Sequence, residues 1–154
     1  MSVDQEKQSP SMIRAKLRVA LNHHREGRLD SAVELYELIL LQMPNHPQTL
    51  LSLGAAYLGL SKYAQAIIHL ETALSVRPDH PDTCFALAEA YRASGRIEDA
   101  YRTAVVGLKG NPDYLPGRMA AADALLDLGR HDEARANFVN ILAKTPDNIL
   151  VLAK

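Results

Sequence analysis

Proline stands at positions 44, 78, 112 and 146, one every 34 residues. Ala32, Ala66, Ala100 and Ala134 keep the same interval, as do Leu40, Leu74, Leu108 and Leu142. A small residue recurs in phase with them at Ala20, Gly54, Ala88 and Ala122. Coincident ladders of this kind mark a stack of similar units, none of which buries its apolar face without a neighbour. The period divides the chain into repeats at 13–46, 47–80, 81–114 and 115–148, with twelve residues before them and six after.

Inside each repeat the apolar spacing predicts two amphipathic helices. Residues 47–60 place Leu50, Leu53, Gly54 and Tyr57 on one helical face, and residues 64–77 do the same with Ala66, Ile67, Leu70, Ala73 and Leu74. Pro47 suits a first helical turn, where its missing N–H has no partner to lose, and Pro78 stops the second helix. Gly27, Gly95 and Gly129 mark the break between the helices of the other repeats, with Ser61-Lys62 in the second. Glu98-Asp99 and Asp132-Glu133 bring negative charge to the start of a second helix, where the dipole favours it. Alanine and leucine dominate, Trp is absent and Phe occurs twice, so composition agrees with an all-α chain. Gly107 and Gly110 weaken the helix expected at 98–110 by about 1 kcal/mol each relative to alanine. Two outcomes fit them: early local opening, or a helix contact so close that only small residues allow it.

Composition also excludes classes of function. The formal charge is −1, so the chain has no general attraction for nucleic acid or anionic membrane. One cysteine cannot build a disulfide framework or a multi-cysteine metal site. Cys84 falls at a packing position and reads as an inert core thiol. His23 and His24 are adjacent and point about 100° apart on a helix, so they do not share a ligand, while His46 and His80 fall in turns beside prolines. The paired carboxylates at 98–99 and 132–133 are accounted for as helix starts, and no phosphate loop, nucleophile elbow or zinc-protease motif is present. The sequence thus predicts a non-enzymatic protein with no cofactor and no metal. Residues 1–12 are polar and lack the apolar core of a signal peptide, so they are expected to be disordered and the compartment cytoplasmic.

The 34-residue helix–turn–helix unit resembles the tetratricopeptide repeat (TPR). The second repeat carries the family's pattern as Leu50, Leu53, Gly54, Tyr57, Ala66, Leu70, Ala73 and Pro78. The third carries it as Cys84, Leu87, Ala88, Tyr91, Ala100, Ala104, Gly107 and Pro112. The first departs at His23 and Ile39, and the fourth at Arg118, Ala121, Leu125 and Ile141, as terminal repeats with one neighbour do. The resemblance implies an all-α, right-handed α-solenoid of four repeats. Residues 149–154 (ILVLAK) would start a fifth.

It also implies a groove lined by the first helix of each repeat. The groove positions are Arg14, Leu17, Arg18, Leu21, His24 and Arg25 in the first repeat, and Gln48, Leu51, Ser52, Ala55, Leu58 and Gly59 in the second. In the third they are Asp82, Phe85, Ala86, Glu89, Arg92 and Ala93, and in the fourth Pro116, Met119, Ala120, Asp123, Leu126 and Asp127. Leu17, Leu21, Leu51, Leu58, Phe85, Met119 and Leu126 would form an apolar strip, basic at the first repeat and acidic at the third and fourth. The expected partner is a peptide or amphipathic helix of another protein, unless flanking segments of the chain itself cover the strip. The cationic clamp with which family members hold acidic chaperone tails would fall on Leu17, Leu21, Ser52, Asp82 and Ala86, and is absent. No polar capping helix follows residue 148, which leaves two further expectations: a chain that continues, for instance as the recruiting arm of a glycosyltransferase- or sulfotransferase-type enzyme, or self-assembly through the C-terminal repeat.

Overall fold

The computed structural model describes residues 9–147, and every regular element within them is an α-helix. In chain order these are α1 (Pro10–Arg25), α2 (Leu29–Leu40), α3 (Pro47–Gly59), α4 (Tyr63–Val76), α5 (Pro81–Ala93), α6 (Ile97–Gly110), α7 (Leu115–Asp127) and α8 (His131–Lys144). They form four helix pairs, two per compact unit. One unit ends at Val76 and the other starts at Arg77.

The four breaks inside the pairs close in one way. Gly27, Gly95 and Gly129 take φ of 76°, 82° and 73°, and Ser61 takes 58° in the second repeat. In each break the left-handed residue donates its N–H to a carbonyl three residues back, and the next residue donates to one five back, as Gly27 to His24 and Arg28 to His23 show. That pattern satisfies carbonyls the helix end would otherwise leave bare. Glycine enters this conformation without strain, whereas Ser61 does so against its Cβ.

In the N-terminal unit α1 packs on α2, α2 on α3 and α3 on α4. Ala20, Ala32, Tyr36, Leu53, Ala66 and Leu70 are wholly enclosed. Each large side chain so buried contributes about 1.5–3 kcal/mol. Gly54 lets the first helix approach the second, since a Cβ there would meet Leu70 Cγ at 2.4 Å. At the start of α3 the His46 ring accepts from the Thr49 N–H through Nδ1 (3.3 Å) and lies 2.8 Å from the Thr49 hydroxyl. His80 and Thr83 repeat the hydroxyl contact at 2.9 Å in α5.

In the C-terminal unit α5 packs on α6, α6 on α7 and α7 on α8. Ala122, Leu125, Ala134, Phe138 and Ile141 form the core of its last pair. Of the two outcomes expected for the glycines of α6, the close contact is present at Gly107, where a Cβ would stand 2.6 Å from Cys84 Cβ, whereas at Gly110 a Cβ would meet only Asp79, its carbonyl at an ordinary 3.4 Å. Cys84 is fully buried, and burial, with the charge of Asp79 adding to it, pushes its thiol up to about 11. It is therefore inert, as its packing position implied. Acidic residues stand in the first turns of α6 and α8 as expected, and arginines join them there: Arg96 Nε to Asp99 at 2.8 Å and Arg130 Nε to Glu133 at 2.7 Å.

One boundary moves. Of the segment 1–12 expected to be disordered, residues 10–12 are the first turn of α1, which starts three residues ahead of Ile13. Pro10 is preorganised for a first helical position, and the Ser9 carbonyl accepts from Met12 and Ile13. The rest of that segment, apart from Ser9, and the expected fifth repeat at 149–154 lie outside the described residues. No helix among the described residues is long and apolar enough to cross a membrane.

Candidate functional site

In the N-terminal unit the first-helix face is built by α1 and α3. Arg14, Arg18, Leu21 and Arg25 are spaced by four, three and four residues, one stripe of a 3.6-residue helix, with Leu17 and His24 beside it. Leu21, His24 and Arg25 of α1 and Leu51, Ser52 and Ala55 of α3 line an open cleft of about 480 Å³. Leu17, Leu21, Leu51, Ala55 and Leu58 are all half-buried, partly shielded by their own helices and partly presented. The cleft has polar groups at its base. The hydroxyl of Tyr36, a fully buried residue, lies 3.3 Å from His24 Nδ1, and Gln48 Nε2 lies 3.4 Å from the Ser52 hydroxyl. Burial pushes the His24 ring below its ordinary value of 6.5, favouring the neutral imidazole beside the tyrosine hydroxyl.

Charge on this face has one sign. The α1 and α3 sequences carry Arg14, Lys16, Arg18 and Arg25 and no carboxylate. Arg25 is held locally, donating to Asn22 Oδ1 at 2.6 Å, and among the described residues no carboxylate pairs with Arg14, Arg18 or Arg25.

In the C-terminal unit the corresponding face belongs to α5 and α7. These carry four carboxylates, Asp82, Glu89, Asp123 and Asp127, against Arg92 and Arg118. Arg92 Nε donates to Asp127 Oδ2 at 2.6 Å, bridging the two helices. Burial works against its charge, but the bond to Asp127 and the nearby Asp123 and Glu89 outweigh it and hold the guanidinium more firmly protonated than usual. Tyr114 donates to Asp82 at 2.6 Å and meets Phe85 edge-on, with ring centroids 6.4 Å apart. Burial and that bond push the Tyr114 hydroxyl up to about 12. Among the described residues no group of three or more His, Cys, Asp or Glu could hold a metal ion.

Residues 11–79 match the family described as tetratricopeptide repeat, and residues 60–141, more than half of the chain, match the one described as anaphase-promoting complex, cyclosome, subunit 3. The chain belongs to the tetratricopeptide repeat family. Among solved structures it is similar to TTC0263, a thermophilic TPR protein of Thermus thermophilus, at 26% identity over 85% of this chain and 73% of that one, with a TM-score of 0.73. MamA (41 to end) of Desulfovibrio magneticus RS-1 aligns over 94% of this chain and 80% of its own at 16% identity and a TM-score of 0.83. The first TPR domain of human RPAP3 does so over 81% and 98% at 18% and 0.75. At those identities the last two speak for the fold alone. No curated protein is a close enough match in sequence to count as a relative.

The TPR register brings the expected site residues together unevenly. The N-terminal unit gathers Leu21, Arg25, Leu51 and Ala55, with His24 and Ser52, around one cleft, and Arg14, Leu17 and Arg18 continue the α1 side of it. Gln48 reaches it through Ser52, and Leu58 lies one turn beyond Ala55 on α3. In the C-terminal unit two members of the apolar strip have another role. Met119 and Leu126 pack against the Ala122–Leu125–Phe138 core, so the strip is not wholly spare of repeat packing. Arg92, the basic exception on an acidic face, is explained by its bond to Asp127. Residue spacing missed Tyr36 and Tyr114, whose rings sit at packing or turn positions while their hydroxyls reach His24 and Asp82 on the first helices. It also missed the histidine cap at His46 and the histidine–threonine contact shared by both starts, although His-Pro-x-Thr occurs at both 46–49 and 80–83.

Proposed function

We propose that this chain is a non-enzymatic TPR adaptor that binds a peptide or helical segment of a partner protein on the first-helix faces of its repeats. The observation that carries the reading is the α1–α3 cleft, where Leu21, Leu51 and Ala55 stay half-exposed around an open volume of about 480 Å³. Apolar surface held open in a concavity and rimmed by polar groups is what a binding site needs and a solvated helix face does not. TPR domains generally serve protein–protein interaction, and the polar groups near the cleft are occupied in bonds to one another rather than arranged as nucleophile, base and oxyanion donors.

Substituting Leu51→Glu in one variant and Phe85→Glu in another tests the reading face by face. Both positions are only half-buried, so helical circular dichroism should be retained. Proteins captured from native lysate and quantified by mass spectrometry should be depleted by Leu51→Glu. An unchanged capture profile in both variants would overturn the proposal.

A further inference from the structure

The face of the N-terminal unit carries a local cost that folding does not explain. Arg14 and Arg18 lie four residues apart on α1, and like charges at that spacing destabilise a helix by a few tenths of a kcal/mol. The helix dipole accounts for His23, His24 and Arg25, which occupy the last turn, but not for cations nearer the N-terminus, where the first turn holds no acidic residue. Departures from local consistency tend to collect where a chain does something besides fold. From Arg14 to Arg25 the stripe runs about 16 Å at 1.5 Å per residue, the length of an extended segment of about five residues. Its C-terminal end opens on the cleft, with Leu51 and Ala55 on the far wall.

We propose, on the basis of the adaptor reading above, that this cleft selects a partner segment bearing carboxylates: apolar side chains enter between α1 and α3 while flanking aspartates or glutamates meet Arg14, Arg18 and Arg25. The three guanidiniums are exposed, so Arg14 and Arg18 can each form a forked pair with a carboxylate, and Arg25 can do so by exchanging its local bonds to Asn22 and Leu21. The arrangement differs from the clamp positions at which this chain carries Leu17, Leu21 and Ser52, because all three cations belong to one helix, α1. An exposed guanidinium–carboxylate pair is modest by itself, so the expected signature is selectivity among similar ligands, and sensitivity to salt, rather than tight binding.

The test uses the full chain and three labelled fourteen-residue peptides sharing one pattern of leucines, with the remaining positions glutamate, glutamine or lysine. At low salt, fluorescence anisotropy should show the glutamate peptide binding about ten-fold more tightly than the glutamine peptide, and the lysine peptide more weakly than either. The preference should disappear at high salt and in the Arg14→Gln/Arg18→Gln/Arg25→Gln variant, which should bind the glutamine peptide as the natural chain does. A glutamate preference that survives in the triple variant, or a preference for lysine, overturns the inference. Equal binding of the glutamate and glutamine peptides, abolished by Leu51→Glu, overturns it while leaving the adaptor reading standing. No binding of any of the three overturns both.

Discussion

The two units are built on one repeat yet differ in what they leave on their first-helix faces. In the N-terminal unit α1 presents arginines beside an open cleft, and neither α1 nor α3 carries a carboxylate. In the C-terminal unit α5 and α7 present an excess of carboxylates, and an arginine bridges the two helices. Their interiors differ as well. At the equivalent buried position of the second helix the repeats carry Tyr36, Leu70, Ala104 and Phe138, all buried. Where that side chain is large the first helix is small opposite it, as Gly54 is to Leu70; where it is Ala104, a neighbouring glycine lets α6 close onto Cys84. The repeat therefore specifies the pairing of helices, while the volume between them is settled repeat by repeat and the charge outside them unit by unit.

Exchanging the volumes should break the symmetry of that statement most strongly. Leu70→Ala removes a wholly buried side chain and should cost about 2–5 kcal/mol in urea denaturation. The reciprocal change, Ala104→Leu, should also destabilise, by about 1–3 kcal/mol, because a close-packed pair has no room for the added carbons. Amide exchange should place the first loss in α3 and α4 and the second in α5 and α6. A neutral or stabilising Ala104→Leu would show that α5 and α6 are held apart by something other than their own small residues.

How far residues alone reveal the molecule follows from the same contrast. Periodicity locates the helix pairs to within one to three residues, because proline, glycine and small-residue positions are dictated by backbone geometry that every repeat shares. The resemblance to the TPR, through its register, also places Leu21, Arg25, Leu51 and Ala55 on one face. It does not reveal whether an apolar residue on that face is spare. Met119 and Leu126 occupy groove positions in the register and yet lean on the core of the last pair, a matter of side-chain reach that spacing does not encode. Nor does it foresee long side chains crossing between helices, as Tyr57 does in donating to Glu37 at 2.6 Å or Arg92 to Asp127. Ser61 shows the converse: the turn is so strongly specified that a residue other than glycine is driven into the left-handed region to complete it.

A smaller difference should appear on acidification. Burial lowers the pKa of His24, and lowers that of His69 against the opposing charge of Glu37; both lie in the N-terminal unit. A base whose folded pKa is depressed takes up its proton more readily when unfolded, so stability is intact above the ordinary value of 6.5 and falls as pH drops below it. In the C-terminal unit Glu133 and Asp113 are held below their ordinary values by hydrogen bonds from Arg130 and Lys144. Their contribution is present above the ordinary values of 4.5 and 3.8 and declines only as pH falls below them. Amide protection, taken relative to the intrinsic exchange rate at each pH, should therefore fall in α1–α4 between pH 7.5 and 5.5 before it does so in α7 and α8. The effect should be absent in a His24→Asn/His69→Asn variant; an unchanged pH response there would refute its origin.

The finest test sets the arginines of the two faces against each other. Arg92→Gln removes the partner of Asp127 and leaves Glu89, Asp123 and Asp127 with less opposing charge, so it should destabilise by about 0.5 kcal/mol, the scale of a pair more than a third exposed. Arg18→Gln removes a like-charge neighbour of Arg14 and should stabilise, by about 0.2–0.5 kcal/mol. Opposite signs from the same substitution on equivalent helices would mean that one arginine serves the fold and the other is retained at the fold's expense. Both shifts should shrink at about 0.5 M salt, where charges at these separations are screened. If Arg18→Gln instead destabilises to the same extent as Arg92→Gln, then α1 has a packing use for its arginine stem, and the cationic stripe loses its claim to be reserved for a partner.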